Sequence, residues 1–227
     1  MSYAPFILIV NILAVYILAQ QTLNRLASLL YRVVRHQKIV YSLIALFFFP
    51  GTLIHEMAHF VMAVVLFLRV ERISLLPVFH KDGIRLGSVT YIKRDFVRGV
   101  LVGVAPVFVG VALLWWLSMN LFPAQSTPVN IALGYLILVI SSTMFSSKQD
   151  LVDVVYLIPV LVLLGIVAYL LRVQVTGIAV IFAKTRTFAA ILRQLSTVNT
   201  MLFITIGLHA AANILMEILI RIGRKRY

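Results

Sequence analysis

Phe47-Phe48-Phe49-Pro50-Gly51-Thr52-Leu53-Ile54-His55-Glu56-Met57-Ala58-His59-Phe60-Val61-Met62-Ala63-Val64-Val65-Leu66-Phe67-Leu68 is the stretch on which the reading of this chain turns. It is apolar on both sides of His55-Glu56-Met57-Ala58-His59, where three ionisable residues fall within five positions. Positions four apart share one face of a helix, so both imidazoles can approach one metal ion, with the Glu56 carboxylate beside them. An ionisable side chain at membrane depth costs roughly 3 kcal/mol or more unless it is paired or ligated. Metal ligation gives one reason for all three residues. The bland alternative is a hydrogen-bonded polar cluster in a helix bundle, such as a proton relay.

Working outward, the rest of the chain has the composition of a membrane protein. Of 227 residues, 62% are hydrophobic and 12% charged, about half the charge fraction of a soluble domain. Apolar runs approaching or exceeding the ~20 residues that cross a bilayer as a helix predict about six transmembrane helices. They span Pro5–Ala19, Val40–Leu68, Phe96–Leu121, Val129–Phe145, Leu151–Leu171 and Val198–Ile220. The second is long enough that tilt or a break is expected, with Pro50-Gly51 as the break. Between the first two, Leu23, Leu26, Leu30, Val33 and Val34 alternate with Arg25, Arg32, Arg35 and Lys38. That pattern suits an interfacial helix or a plain linker helix. Residues 69–95 change character: apolar and polar residues alternate around the turn signal His80-Lys81-Asp82-Gly83, predicting one or two short β-hairpins. The third segment carries Gly99, Gly103 and Gly110, small residues that let helix backbones approach closely. The expected fold is an all-α polytopic membrane protein with a small β-hairpin region between the second and third helices. Residues 1–227 form one domain: 1–39 an N-terminal helix and interfacial stretch, 40–171 the metal-motif core, 172–227 an amphipathic stretch and last helix.

The net charge of +13 lies mostly between apolar segments, where basic residues retain loops at the cytoplasmic face and attract anionic lipid heads. The bilayer, rather than nucleic acid, is the expected partner. With six crossings, the side receiving residues 69–98, Lys148 and the tail gathers more basic residues than the other. This places both termini in the cytoplasm, in a multi-pass protein of the cell (plasma) membrane. The absence of cysteine excludes disulfides and thiolate metal sites. The first segment lacks a preceding basic region and a small-residue cleavage site, so it reads as a retained helix. Oligomeric state is not legible.

Zinc with two histidines needs a third protein ligand, commonly a carboxylate, and keeps one position for water. Asp150 stands where segments four and five meet, and is favoured; Asp153, on the same helical face, competes. Both also suit interfacial helix caps. Segment six stacks His209, Asn213 and Glu217 four apart on one face. They could line a cavity or proton path, or serve as interhelical hydrogen bonds ending in a Glu217–Arg221 ion pair.

A histidine–glutamate motif inside a transmembrane segment, then a β-rich stretch, a small-residue helix and a distal aspartate, resembles the site-2 protease family of intramembrane zinc metalloproteases. The resemblance spans about 49–153. It implies zinc held by His55, His59 and Asp150, with Glu56 as catalytic general base, hydrolysing peptide bonds in or near transmembrane segments of a membrane-protein substrate. The chain departs from the family where Ser142–Asp150 lacks the usual prolines and following glycine. It departs again where Ala105-Pro106 stands for Gly-Pro, so it resembles a divergent member. The alternatives are an inactive scaffold or chaperone-like relative and, third, an ion or proton transporter.

Overall fold

The computed structural model describes residues 3–75, 78–80, 83–121, 126–145, 163, 166 and 186–224. Five helices and two short β-ladders account for nearly all of them: α1 Ala4–Val34, α2 Gln37–Val65, β1 Val70–Ser74, β2 Val78–His80, β3 Gly83–Arg85, β4 Ser88–Tyr91, α3 Phe96–Leu121, α4 Thr127–Thr143 and α5 Arg186–Arg224. Four helices (α1, α2, α3 and α5) are long and apolar enough to cross a membrane, and α4 is a shorter apolar helix. The protein is an all-α membrane protein with a β-hairpin region between α2 and α3. The fifth expected segment, Leu151–Leu171, lies outside the described residues except for Leu163 and Ile166. Apolar side chains such as Phe6, Leu46, Val65, Phe108 and Phe203 point outward, as a lipid-facing surface requires.

Two helices run on where the sequence suggests an interruption. α1 continues without interruption through the basic stretch, for which the sequence offered a separate interfacial helix or a linker helix. The apolar stripe Leu23, Leu26, Leu30 and Val34 packs on Val40, Ile44 and Phe48 of α2, so tertiary contact extends the helix. It ends at Arg35, whose left-handed backbone (φ 52°) returns its N–H to Tyr31 O and turns the chain straight into α2. α2 also runs unbroken through Pro50-Gly51. Pro50 removes the donor to the Leu46 carbonyl, and Tyr135 of α4 donates to the adjacent Phe47 carbonyl at 2.7 Å. Bonds of this kind let transmembrane helices tolerate proline. Gly51 allows the contact with α4: a methyl group there would meet Thr143 Oγ1 and come within 2.7 Å of Val139 O.

The helices alternate in direction. α2 turns back from α1, α3 returns along α2 with Val102 opposite His59, and α4 follows α2 with Tyr135 at Phe47 and Thr143 at Gly51. α5 runs parallel to α1. Asn11 bonds Asn199, Thr22 bonds His209, Arg25 bonds the Asn213 carbonyl and Arg32 the Ile220 carbonyl, a near-constant offset of 187 or 188 residues. The start of α1 and the end of α5 therefore lie at opposite faces of the bundle. The placement of both termini in the cytoplasm remains an expectation from loop charge. That expectation assumes six full crossings, which would make the first and last helices antiparallel.

The central core joins α1, α3, α4 and α5 through Val15, Leu114, Ile140, Met144 and Leu202. A smaller cluster of Ala63, Leu68 and Val102, with Val70 and Tyr91 against it, seats the β region on α2 and α3. β1 pairs antiparallel with β4 (Ser74 opposite Ser88), and β2 with β3 (Val78 opposite Arg85), nested inside. Asp95 caps α3 by accepting the Arg98 backbone N–H at 2.8 Å.

Candidate metal centre

α2 positions His55, Glu56 and His59 about 9–15 Å before its C-terminal end, at ~1.5 Å per residue, on the side of the bundle that carries the hairpin. All three are buried, with 3%, 5% and 8% exposure. The helical repeat sets the imidazoles one above the other: His59 Nε2 lies 3.1 Å from His55 Nε2, with the rings edge to face at 86°. Two nitrogens bound to one tetrahedral zinc at about 2.0–2.1 Å stand roughly 3.3 Å apart, so the pair fits a single zinc ion. His59 Nδ1 lies 2.8 Å from the Val102 carbonyl of α3. A carbonyl oxygen only accepts, so Nδ1 carries the hydrogen and the Nε2 lone pair faces His55. Fixing the far nitrogen in this way is how metal-binding histidines are held to one tautomer and ring orientation.

The hairpin closes over the third member. Gly87, between β3 and β4, lies against the Glu56 side chain: a methyl group on Gly87 would sit 2.7 Å from Cγ and 2.8 Å from Oε1. Beside His55, a narrow crevice is lined by Gly51, Ile54, Pro106, Gly110, Thr143 and Met144, and does not admit a water-sized sphere. Three helices and the hairpin thus exclude bulk water, which strengthens electrostatic interactions within the site.

Among the described residues no group of three or more His, Cys, Asp or Glu side chains is placed to hold a metal. Asp150 and Asp153 lie outside the described residues. The second polar set is elsewhere. His209 is fully buried between α1, α4 and α5, with Nδ1 2.8 Å from Thr22 Oγ1 and Nε2 2.8 Å from Ser141 Oγ. Asn213 donates to Thr22 Oγ1 and to the Leu18 and His209 carbonyls. Glu217 accepts from Arg221 at 2.9 Å and lies 3.6 Å from Arg25. These bonds are the interhelical network and ion pair that the sequence offered as one of two readings.

Sequence reasoning missed two participants. The Val102 carbonyl is backbone, so residue identity carries no trace of it. Gly87 falls inside the alternating run, on one face of the expected strand with Arg85, Val89 and Tyr91, where nothing local ties it to Glu56. Comparison of the chain with protein-family models, curated proteins and solved structures gave no match.

Proposed function

We propose that this protein is an intramembrane zinc metalloprotease. The observation that carries the reading is the buried pair of Nε2 atoms 3.1 Å apart, with Glu56 between their residues and His59 oriented by Val102 O. His55 and His59 would hold the zinc through Nε2. Asp150 is the proposed third ligand; it follows Phe145, beside the crevice at the end of α4, by five residues, a reach of up to about 17 Å. Bound zinc supplies Lewis-acid polarisation of a carbonyl and lowers the pKa of its water towards ~7. Glu56 takes the proton of the attacking water on a carboxylate oxygen and returns it to the departing amine nitrogen. Val102 O holds the His59 ring in place, and the surrounding helices keep out competing water.

The substrate is a transmembrane or membrane-proximal segment, since the motif is buried in a bundle whose outer surface is apolar. Such a segment must unwind before its carbonyls are exposed, and β1–β4 offers strand edges on which it could be extended. We assign the protein to the plasma membrane on its basic loops, which suit an anionic leaflet. The test uses purified protein in liposomes with a reporter transmembrane peptide. Wild type should cleave it and lose cleavage on chelation; Glu56→Gln should bind zinc without cleaving. Retained turnover in Glu56→Gln would remove Glu56 as the base, and an uncleaved reporter with wild-type protein would overturn the protease reading.

A further inference from the structure

We infer that Gly87 is a positioning residue for Glu56, through which the hairpin sets where the carboxylate stands. The inference rests on the reading of Glu56 as the proton acceptor. Gly87 does not take a left-handed φ, so its backbone is open to any L residue and the link between β3 and β4 does not itself demand glycine. Space does. A Cβ at position 87 would lie 2.7 and 2.8 Å from Cγ and Oε1 of Glu56, closer than side-chain Cβ atoms come, and 3.0 Å from Cδ, a very tight contact. Glu56 is 5% exposed, so it cannot yield by swinging into solvent. The displaced carboxylate has to move within the bundle, relative to the two imidazoles on its own helix.

The hairpin is also placed to transmit position. β1 leaves the end of α2 and β4 leads into α3, with Ile92 N–H donating to Arg69 O at 3.0 Å across the base. Val70 and Tyr91 pack on the Ala63–Leu68–Val102 cluster. The base, the carbonyl that orients His59 and the link that contacts Glu56 are thus tied to the same two helix ends.

Displacing a reacting group by about an ångström costs on the order of 100-fold in rate. Gly87→Ala should therefore lower kcat by roughly that factor, with KM and zinc content unchanged. The contact is tested apart from turnover by thermal unfolding of Gly87→Ala, Glu56→Ala and the double variant in detergent. Gly87→Ala should lower the midpoint in the wild-type background and have little effect once Glu56→Ala has removed Cγ and the carboxylate. Additive midpoints, or wild-type kcat in Gly87→Ala, would overturn the inference. If wild-type protein cleaves no reporter, the protease reading fails and the positioning role falls with it, while coupled midpoints would still establish the contact.

Discussion

Two sets of buried histidines sit in this bundle, and they are bonded in opposite ways. His209 spends both ring nitrogens on hydroxyl groups from other helices, Thr22 and Ser141. Thr22 also lies within hydrogen-bond distance of Leu18 O, and Ser141 of Ile137 O; a neutral imidazole has one N–H, so one hydroxyl accepts from the ring while the other gives its single hydrogen to the ring. A network of that kind spans three helices, and its work is to fasten them together. His55 and His59 instead turn two ring nitrogens on each other. Between them there is room for one shared proton or one cation. The lesson is that burial alone does not mark a functional histidine. What distinguishes the α2 pair is convergence on a common point, with the far nitrogen of His59 already committed to a carbonyl.

The sharpest way to break this contrast is to remove one ring from each set. His59→Ala, or His55→Ala, should abolish stoichiometric zinc binding, measured by metal analysis of purified protein, and with it any reporter cleavage. His209→Ala should leave zinc content at the wild-type level. Zinc retained in His59→Ala would sink the metal reading; zinc lost in His209→Ala would merge the two sets into one site.

Stability should show the reverse ranking. His209→Ala leaves a cavity and two buried hydroxyls that have lost a partner, so a loss of about 2–4 kcal/mol is expected by denaturant titration in detergent. A loss under about 1 kcal/mol, the level of an ordinary interhelical hydrogen bond in a membrane, would mean that the network is looser than its geometry suggests. The smallest effect is expected at the outer end of the same seam. Glu217 is about one-third exposed where it meets Arg25 and Arg221, so Glu217→Gln should cost little stability, and the effect should fade with added salt. A larger cost would show that the ion pair is shielded by lipid or by a neighbouring chain.

The legible part of this protein was periodic. The five-residue motif declared its helix face through the four-residue spacing, and the alternation after Arg69 declared a hairpin. The expected break at Pro50 failed because its remedy, the Tyr135 hydroxyl, lies 85 residues away in sequence and enters only through packing. The basic stretch after Ala19 misled because its charges are visible in the sequence, whereas the α2 surface that receives Leu23, Leu26 and Leu30 is not. Orientation was inferred from charge counts that depend on the number of crossings, and the parallel α1–α5 pairing cannot be read from hydropathy. The placement of Asp150 stays a matter of sequence and reach.

That pairing has a consequence for how the molecule comes into being. α1 is made first, and α5 only after most of the chain has emerged from the ribosome. Until α5 arrives, Asn11 and Arg25 stand along α1 without the Asn199 side chain and Asn213 carbonyl that they bond. Joining ends so far apart in sequence is a slow step. The bundle therefore closes late, when the last described helix docks along the first.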